Sequence, residues 1–439
     1  MEYCAAAEVF RGKDQTVLQD KVIGYTLSAT VVPDPQARKY AISWVLCLIF
    51  YFLEYASRST SGVMVPELAE AFGTTAAGVG ALLGTYYYTY SVTSLIAGAS
   101  LDRLGAKLAV PFGLLLFGIG CILFRVPDMT AGYVGRLLQG AGSAFAFTGS
   151  VYLASRGLPA RWLGTAIGTT QCLGMVGGFV GGFAVGPAMQ RGISWEVVWW
   201  ILGIGGLGVG LLLFAVTPSS EDSRSTPRDS GTILSPYGIV FRNPQSYLCG
   251  AISGLLFVPT TIGAMTWGVI LFQKDRGLTY SAAVVAASMV PLGWVIGSPL
   301  LGWFADSLKR RKPVLMAGAL AMFVMMAQMA YLPHLMPVAA SCFFFGVASG
   351  AAMIPYTIMK EVNSDKVKGS ATGAMNFITF GISALVGPMF GMFAGEGYLS
   401  AGNPQEHFRF TLLFWMAGIA LALLMSVALQ ETGQARFDA

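Results

Sequence analysis

Charge is scarce in this 439-residue sequence: Asp, Glu, Lys and Arg together make up 11% of it, against roughly 25% in an ordinary soluble domain. That deficit excludes a globular chain solvated by water on all sides. Histidine is rarer still, at two residues, and the six cysteines (Cys4, Cys47, Cys121, Cys172, Cys249, Cys342) lie far apart, all but Cys4 inside apolar stretches. With no CxxC pair and no metal-ligand spacing, the cysteines read as small packing residues rather than as a disulfide framework or a metal centre. No GxxxxGK[ST] loop, His-rich cluster or Ser-His-Asp set occurs, and the glycines of GIGGLGVG at 203–210 follow no strand. An enzyme is therefore not expected, nor a cofactor. The opening MEYCAAAEVFRGKDQ has neither the basic start nor the apolar core of a signal peptide, and residues 1–39 read as a polar cytoplasmic extension.

What is abundant is hydrocarbon, with 55% hydrophobic residues, and glycine, with 55. Small residues suit membrane helices, whose association depends on close backbone approach. A window of about 20 residues, enough to cross roughly 30 Å of hydrocarbon, finds twelve apolar segments. They lie near 42–65, 75–98, 108–125, 130–154, 162–188, 195–216, 247–272, 279–302, 313–332, 336–359, 369–393 and 409–430. Between the sixth and seventh, TPSSEDSRSTPRDSGT reads as a solvated linker. The expected fold is an all-α membrane protein of twelve transmembrane helices, with six-helix bundles at 40–216 and 245–431, a cytoplasmic linker at 217–244 and a cytoplasmic tail at 432–439. If the N-terminus is inside, twenty Lys and Arg fall on the inner side and five (Arg125, Arg191, Lys274, Arg276, Arg409) on the outer side. This asymmetry predicts both termini in the cytosol of a bacterial inner membrane. The net charge of +5 belongs to that topology, and a lipid bilayer, not nucleic acid, is the expected partner.

The chain also repeats itself. GASLDRLGAK (98–107) and GWFADSLKRRK (302–312) place Gly, then Asp four residues on, then basic residues, at an offset of 204; Gly186-Pro187 and Gly387-Pro388 recur at an offset of 201. Two halves in the same orientation are parallel repeats about an axis along the membrane normal. With Gly98, Asp102, Arg103, Gly105 and Lys107 in the first loop, and Arg136, Gln139, Gly140 and Gly142 in RLLQGAGSAF, the chain resembles the major facilitator superfamily over about 40–430. Ala106 replaces one basic residue of that loop motif, and Ser307 and Lys309 stand where the second-half copy would have Arg and Gly. The resemblance implies secondary transport by a chain acting as a monomer. It also implies gating roles for Gly98, Asp102, Arg103, Asp306 and Arg310, with the carboxylates acting as latches that break during alternating access. The plain alternative is a basic inner loop with an incidental carboxylate.

Glu54 and Arg58 interrupt the first apolar segment. A spacing of four puts both on one helix face, about 6 Å apart along the axis, with the acid N-terminal to the base, the favourable order. Each charge at mid-membrane costs at least a few kcal/mol unless it faces a cavity or a partner. Tyr51, Phe52, Tyr55, Ser59 and Ser61 surround the pair, a mixture that predicts a pocket wall; the alternative is a mutually neutralised pair that only orients the helix. Tyr55, Arg58 and Pro66 are similar to the first helix of the organophosphate and organic-anion branches, which implies that Arg58 binds an anionic substrate. A guanidinium suits that role because its planar fork stays charged when desolvated. The seventh segment carries no charge, unlike the second arginine of the sugar-phosphate exchangers, so a carboxylate is expected over a phosphate. Glu54 is the candidate proton carrier: an anion takes over Arg58, the freed carboxyl accepts a proton, and the neutralised site crosses. His334 and His407 are placed in outward loops and take no part.

Further polar residues near the midplane are Tyr86, Tyr87, Tyr88, Tyr90, Gln171, Thr260, Thr261, Trp267, Tyr356 and Asn376. Of these Tyr87, Gln171, Trp267, Tyr356 and Asn376 join Tyr51, Tyr55 and Arg58 as candidate substrate contacts. Helical spacing turns Tyr86 and Tyr90 away from Tyr87, so at most half of the tyrosine run is expected to line the cavity. Arg136 is either a proton-coupling arginine, as the resemblance implies, or one that snorkels to the outer surface. Two rival functions remain open. GMVGGFVGGFAVGP (174–187) is similar to the fifth helix of drug-proton antiporters, although its order around the proline differs, and some relatives of the sugar-phosphate branch are sensors that transport nothing.

Overall fold

The computed structural model describes residues 35–159, 162–219, 235–364, 367–400 and 403–433. The first half contains α1 (Pro35–Val63), the short α2 (Val65–Ala71), α3 (Ala76–Leu104), α4 (Ala106–Phe124), α5 (Met129–Gly157), α6 (Leu163–Phe183) with its continuation α7 (Val185–Gln190), and α8 (Trp195–Val216). After a linker helix, α9 (Ser235–Arg242), the second half contains α10 (Pro244–Val258), a π-helical stretch (Pro259–Trp267) and α11 (Gly268–Arg276), which together make one span. It continues with α12 (Tyr280–Ser307), α13 (Lys312–Tyr331), α14 (Val338–Ser349) running on into α15 (Ile354–Glu361), α16 (Lys368–Ser400) and α17 (Pro404–Ala428). Among the described residues twelve spans in two sixes result, as the apolar segments predict. The face carrying the start of α1 and the end of α17 is called inner, after the basic-residue count.

Local chemistry sets the helix starts. The side chains of Thr75, Asp128, Thr279 and Asn403 each accept a hydrogen bond from the backbone N–H three residues on, and Asn243 accepts from Gln245 N. Each satisfies a donor that the first turn leaves orphaned. Ten helices, among the described residues, are long and apolar enough to cross a membrane. The two other spans, α3 and α5, are diluted by polar side chains that face inward: Tyr86, Tyr87, Tyr90, Ser91 and Ser94 on α3, and Arg136, Gln139, Ser143 and Ser150 on α5 are all buried. Outward, Val92, Ile201, Leu211, Leu385 and Leu424 are exposed, which suits contact with lipid rather than water.

Helix α1 is the pivot of the first half. It packs on α6, where a β-carbon at Gly177 or Gly181 would run into the carbonyl oxygens of Phe52 and Ala56. That close approach brings Gln171, further along α6, to Tyr51. On the outer face the halves are joined: Tyr280 Oη donates to Val63 O at 2.7 Å, and Gly62 sits against the Met265 carbonyl in the π-helical stretch. On the inner face a crevice of about 610 Å³ opens between α6, α12 and the α14–α15 span.

One expectation is corrected here and one alternative is excluded. His407 does not lie in an outward loop: it belongs to the first turn of α17, is buried, and bonds Asp275 Oδ2 through Nδ1 (2.8 Å) and the Ala394 carbonyl through Nε2 (2.9 Å). His334 does lie in an exposed loop. Arg136 does not snorkel. It is buried in α5, donates to Gln139 Oε1 (2.7 Å), Ser61 Oγ (3.3 Å) and Leu83 O (3.4 Å), and pairs with no carboxylate among the described residues.

Of the proposed latch residues, Arg310 is largely exposed, 3.6 Å from Glu431, whereas its neighbour Arg311 is buried and bridges Asp306 and Glu361. Adjacent arginines cannot share one direction at a helix start, and only Arg311 turns inward. Arg103 is exposed at the end of α3, and the Asp102 side chain lies outside the described residues.

Candidate functional site

At the centre of the molecule α1 and α3 bring Glu54 and Arg58 together with the tyrosine run. Both charges are buried, 0% and 2% exposed. Arg58 Nη2 bonds Glu54 Oε1, and Tyr86 Oη bridges the two, accepting from Arg58 Nε at 3.2 Å and donating to Glu54 Oε1 at 3.2 Å. The guanidinium carbon lies 4.4 Å from the centroid of the Tyr55 ring, 4.9 Å from Tyr86, 5.6 Å from Tyr87, 5.0 Å from Tyr90 and 5.1 Å from Phe380. Ring faces carry negative charge density, so this box stabilises a cation where water cannot. The pair is not saturated: Arg58 Nη1 and Glu54 Oε2 have no protein partner.

Three of the four clustered tyrosines converge on this box. Of the four, Tyr90 alone lines the pocket described next, within the expected half, so Tyr87 is corrected from a pocket contact to a wall of the box; Tyr88 is 43% exposed. The 100° step between successive helical residues leaves Tyr86 and Tyr87 close enough for both rings to reach one guanidinium, with Tyr87 stacked on Phe380 from α16.

On the inner side of the box lies a small pocket of about 10 Å³. Its wall includes Tyr51, Tyr55, Tyr90, Phe147, Gln171, Phe257, Tyr356, Asn376 and Phe380, drawn from both halves and carrying no formal charge. Arg58 is not part of that wall, which departs from the pocket-wall expectation. The rings of Tyr55, Tyr90 and Phe380 stand between pocket and guanidinium and touch both.

Gln171 and Asn376 occupy matching helices of the two halves and are held alike. Tyr51 Oη donates to Gln171 Oε1 at 3.0 Å, and Tyr356 Oη donates to Asn376 Oδ1 at 2.8 Å. Each amide nitrogen, Gln171 Nε2 and Asn376 Nδ2, is buried without a protein partner. A buried unpaired donor costs roughly 1–3 kcal/mol, so two of them beside one pocket mark a place for acceptor oxygens. Phe147, Gln171 and Tyr356 also line the inner crevice, which therefore leads from the inner face to the pocket.

Trp267 is not in this wall. Its indole packs against Gly80 of α3 and lies 6.0 Å from the Phe390 ring, on the outer side of the site. No signal in the sequence singles out Phe380 or Phe147, apolar residues among many. No group of His, Cys, Asp and Glu able to hold a metal occurs among the described residues.

A central pocket between two six-helix halves, reached from one face and closed at the other, is the anatomy of a membrane carrier rather than of an enzyme. The model of the Major Facilitator Superfamily matches residues 47–388, and the chain belongs to that family. It is 23% identical over 390 residues to a probable sulfoacetate transporter of Cupriavidus necator, covering 80% of this chain and 86% of the relative. It is 25% identical over 369 residues to the membrane sensor protein UhpC of Salmonella typhimurium, covering 77% and 80%. Among solved structures, a bacterial homolog of the human lysosomal transporter Spinster, inward-facing and unoccupied, superposes with a TM-score of 0.69 at 15% identity, covering 89% of this chain and 98% of that one. A probable organic-anion transporter and a membrane sensor protein are thus among its relatives.

Proposed function

We propose that this secondary transporter is a proton-coupled symporter of a small organic anion, a carboxylate rather than a phosphate. It works by alternating access as a monomer in a bacterial inner membrane, with both termini in the cytosol. The observation that carries the reading is the Arg58 guanidinium, buried in five aromatic rings, bonded to one carboxylate and retaining an unpartnered nitrogen beside an uncharged pocket. An anion entering the pocket meets the unpaired amide donors of Gln171 and Asn376 first. Rotation of the Tyr55, Tyr90 and Phe380 rings then exposes the guanidinium, and the anion replaces Glu54 as its partner. Glu54, released into an apolar box, takes a proton rather than remain a bare buried charge. The site is then neutral overall, and the two halves can rock around it with no net charge in hydrocarbon.

With Glu54 protonated, the single guanidinium matches one negative charge and leaves a doubly charged phosphate uncompensated. That is the argument for a singly charged carboxylate; the sulfoacetate in the name of one relative is also a small organic anion with a carboxylate, but it carries two charges. Arg136, Asp306 and Arg311 take coupling and gating roles in this reading. The sensor relative favours a second reading, signalling without transport.

One assay separates them: purified protein in proteoliposomes with an internal pH dye, challenged with monocarboxylates, dicarboxylates, tricarboxylates, sugar acids and sugar phosphates in turn. The symporter reading expects one anion to drive proton entry, abolished by Arg58→Ala and uncoupled by Glu54→Gln. Binding of an anion with no flux of anion or proton would overturn it in favour of the sensor.

A further inference from the structure

The linker helix α9 does more than tie the halves together. Its Tyr237 is buried, 4% exposed, although it belongs to the linker expected on the cytoplasmic side. The phenol enters the seam where α3 of the first half meets α16 of the second on the inner face. Tyr237 Oη donates to the Leu95 carbonyl of α3 at 2.8 Å. Two glycines, one from each half, make room for that hydroxyl: a β-carbon at Gly98 would lie 3.3 Å from it, and one at Gly373 would lie 2.8 Å from it. The tyrosine does not act alone in the seam. Phe241, one turn on, lies 6.3 Å from the Tyr237 ring and 6.2 Å from Phe377 of α16, and Ser91 Oγ of α3 donates to the Phe377 carbonyl at 2.7 Å. On the opposite side of the inner face, between α6 and α12, no such plug stands among the described residues and a crevice of about 610 Å³ is present.

We propose that Tyr237 is a bolt: carried by the linker, it holds α3 and α16 together at the inner face, and the seam opens only when the phenol withdraws. The Gly98 of the loop motif then has a specific duty, since any side chain there would press on the bolt's hydroxyl. The linker sets the balance between inward-open and inward-closed forms through the Tyr237–Leu95 hydrogen bond and the rings of Tyr237 and Phe241, and a change in linker conformation becomes a change in that balance. The inference rests on the alternating-access reading, because a bolt matters only if the seam moves.

Backbone amide hydrogen exchange on the intact protein in lipid nanodiscs, followed by mass spectrometry, tests it without any substrate. Three variants are compared with the parent. Tyr237→Phe deletes only the hydroxyl. Gly373→Ala places a methyl group against it and 3.2 Å from the Ser94 carbonyl of α3, so Tyr237→Phe is the variant that isolates the phenol. Gly369→Ala, four residues away, enters open space and serves as control. The expected result is faster exchange, by severalfold, in both 91–104 and 368–380 for Tyr237→Phe and Gly373→Ala, with Gly369→Ala matching the parent. Protection in α4 and α13 verifies the fold in each case. The bolt is overturned if exchange rises only within 235–242, or if the two variants leave both helix ends unchanged. Slower exchange at 60–65 and 262–268 accompanying the loosened seam would report rocking of the halves. A loosened seam without that change would keep the bolt and sink alternating access, so the two ideas fail separately.

Discussion

Removing the Glu54 carboxylate while keeping its shape, as Glu54→Gln does, leaves Arg58 buried with no counter-charge. Breaking a buried pair in this way costs about 3–5 kcal/mol, because the surviving charge keeps its desolvation penalty and loses its compensation. The five surrounding rings and the Tyr86 hydroxyl remain in the variant, and each ring contributes about 0.5–2 kcal/mol when desolvated. The loss should therefore fall at the lower end, about 3 kcal/mol. The companion change Arg58→Met fills the arginine stem's volume and leaves Glu54 free to neutralise itself by taking a proton, so it should cost less. The double variant carries no buried charge at all, and its loss should be smaller than the sum of the singles by about 2–3 kcal/mol, a coupling typical of directly bonded residues.

Equilibrium unfolding in mixed micelles, followed through tryptophan emission, measures all four corners of the cycle. An anion should stabilise Glu54→Gln more than the parent, since it no longer competes with Glu54 for the guanidinium. The difference should reach at least tenfold in affinity, about 1.4 kcal/mol. Additive single effects, or weaker anion binding in Glu54→Gln, would refute the idea that Glu54 is the partner an anion displaces.

Three other outcomes follow from the same structure. Gly62→Ala should drive α1 away from the Met265 carbonyl at the outer closure, with a strain of about 1–3 kcal/mol; labelling of a cysteine at position 63 from the outside should speed up, and an unchanged rate would disprove that this contact holds the outer face shut. Asn376→Leu should remove one unpaired amide donor and raise KM for the transported anion severalfold, leaving protein stability within about 1 kcal/mol; equal KM would remove Asn376 from the binding site. Glu431 accepts hydrogen bonds from Arg311 N at 2.6 Å and Lys312 N at 3.3 Å, capping α13 from the far end of the chain. Burial works to raise the Glu431 pKa, but backbone N–H donors outweigh it and hold the value below the ordinary 4.5. Stability from this cap is therefore present above about pH 4.5 and is lost as pH falls through the lower folded value. Glu431→Ala should cost about 1 kcal/mol at neutral pH and flatten the acid limb of a melting-temperature profile; an acid limb identical to the parent's would contradict the cap.

The twelve spans, the two halves and the central pair were legible in the order of residues because each rests on local physics. Apolar length, the 3.6-residue period and the cost of a charge in hydrocarbon are all properties of a short stretch of chain. Hence Glu54 and Arg58 stood out as charges inside an apolar segment, and Gln171 and Asn376 as polar residues near the midplane. What decided the site was contact between segments far apart in the chain. The rings that box Arg58 come from α1, α3 and α16, and those that separate it from the pocket are Tyr55, Tyr90 and Phe380. Whether a tyrosine faces lipid or guanidinium depends on how α3 is rotated against its neighbours. The run YYYTY reads alike either way. His407 showed the same limit. Its place near a predicted loop suggested water, and only the approach of α11 and α16 gave both ring nitrogens a buried partner. Tyr237 was hidden for the converse reason. A polar, charged linker marks a solvated segment on average, but one aromatic residue at its end finds a glycine-lined seat that exists only once α3 and α16 have met. Sequence determines which segments enter the membrane, because lipid acts on each helix separately; the tertiary structure decides which side chains meet inside, because that depends on all twelve at once.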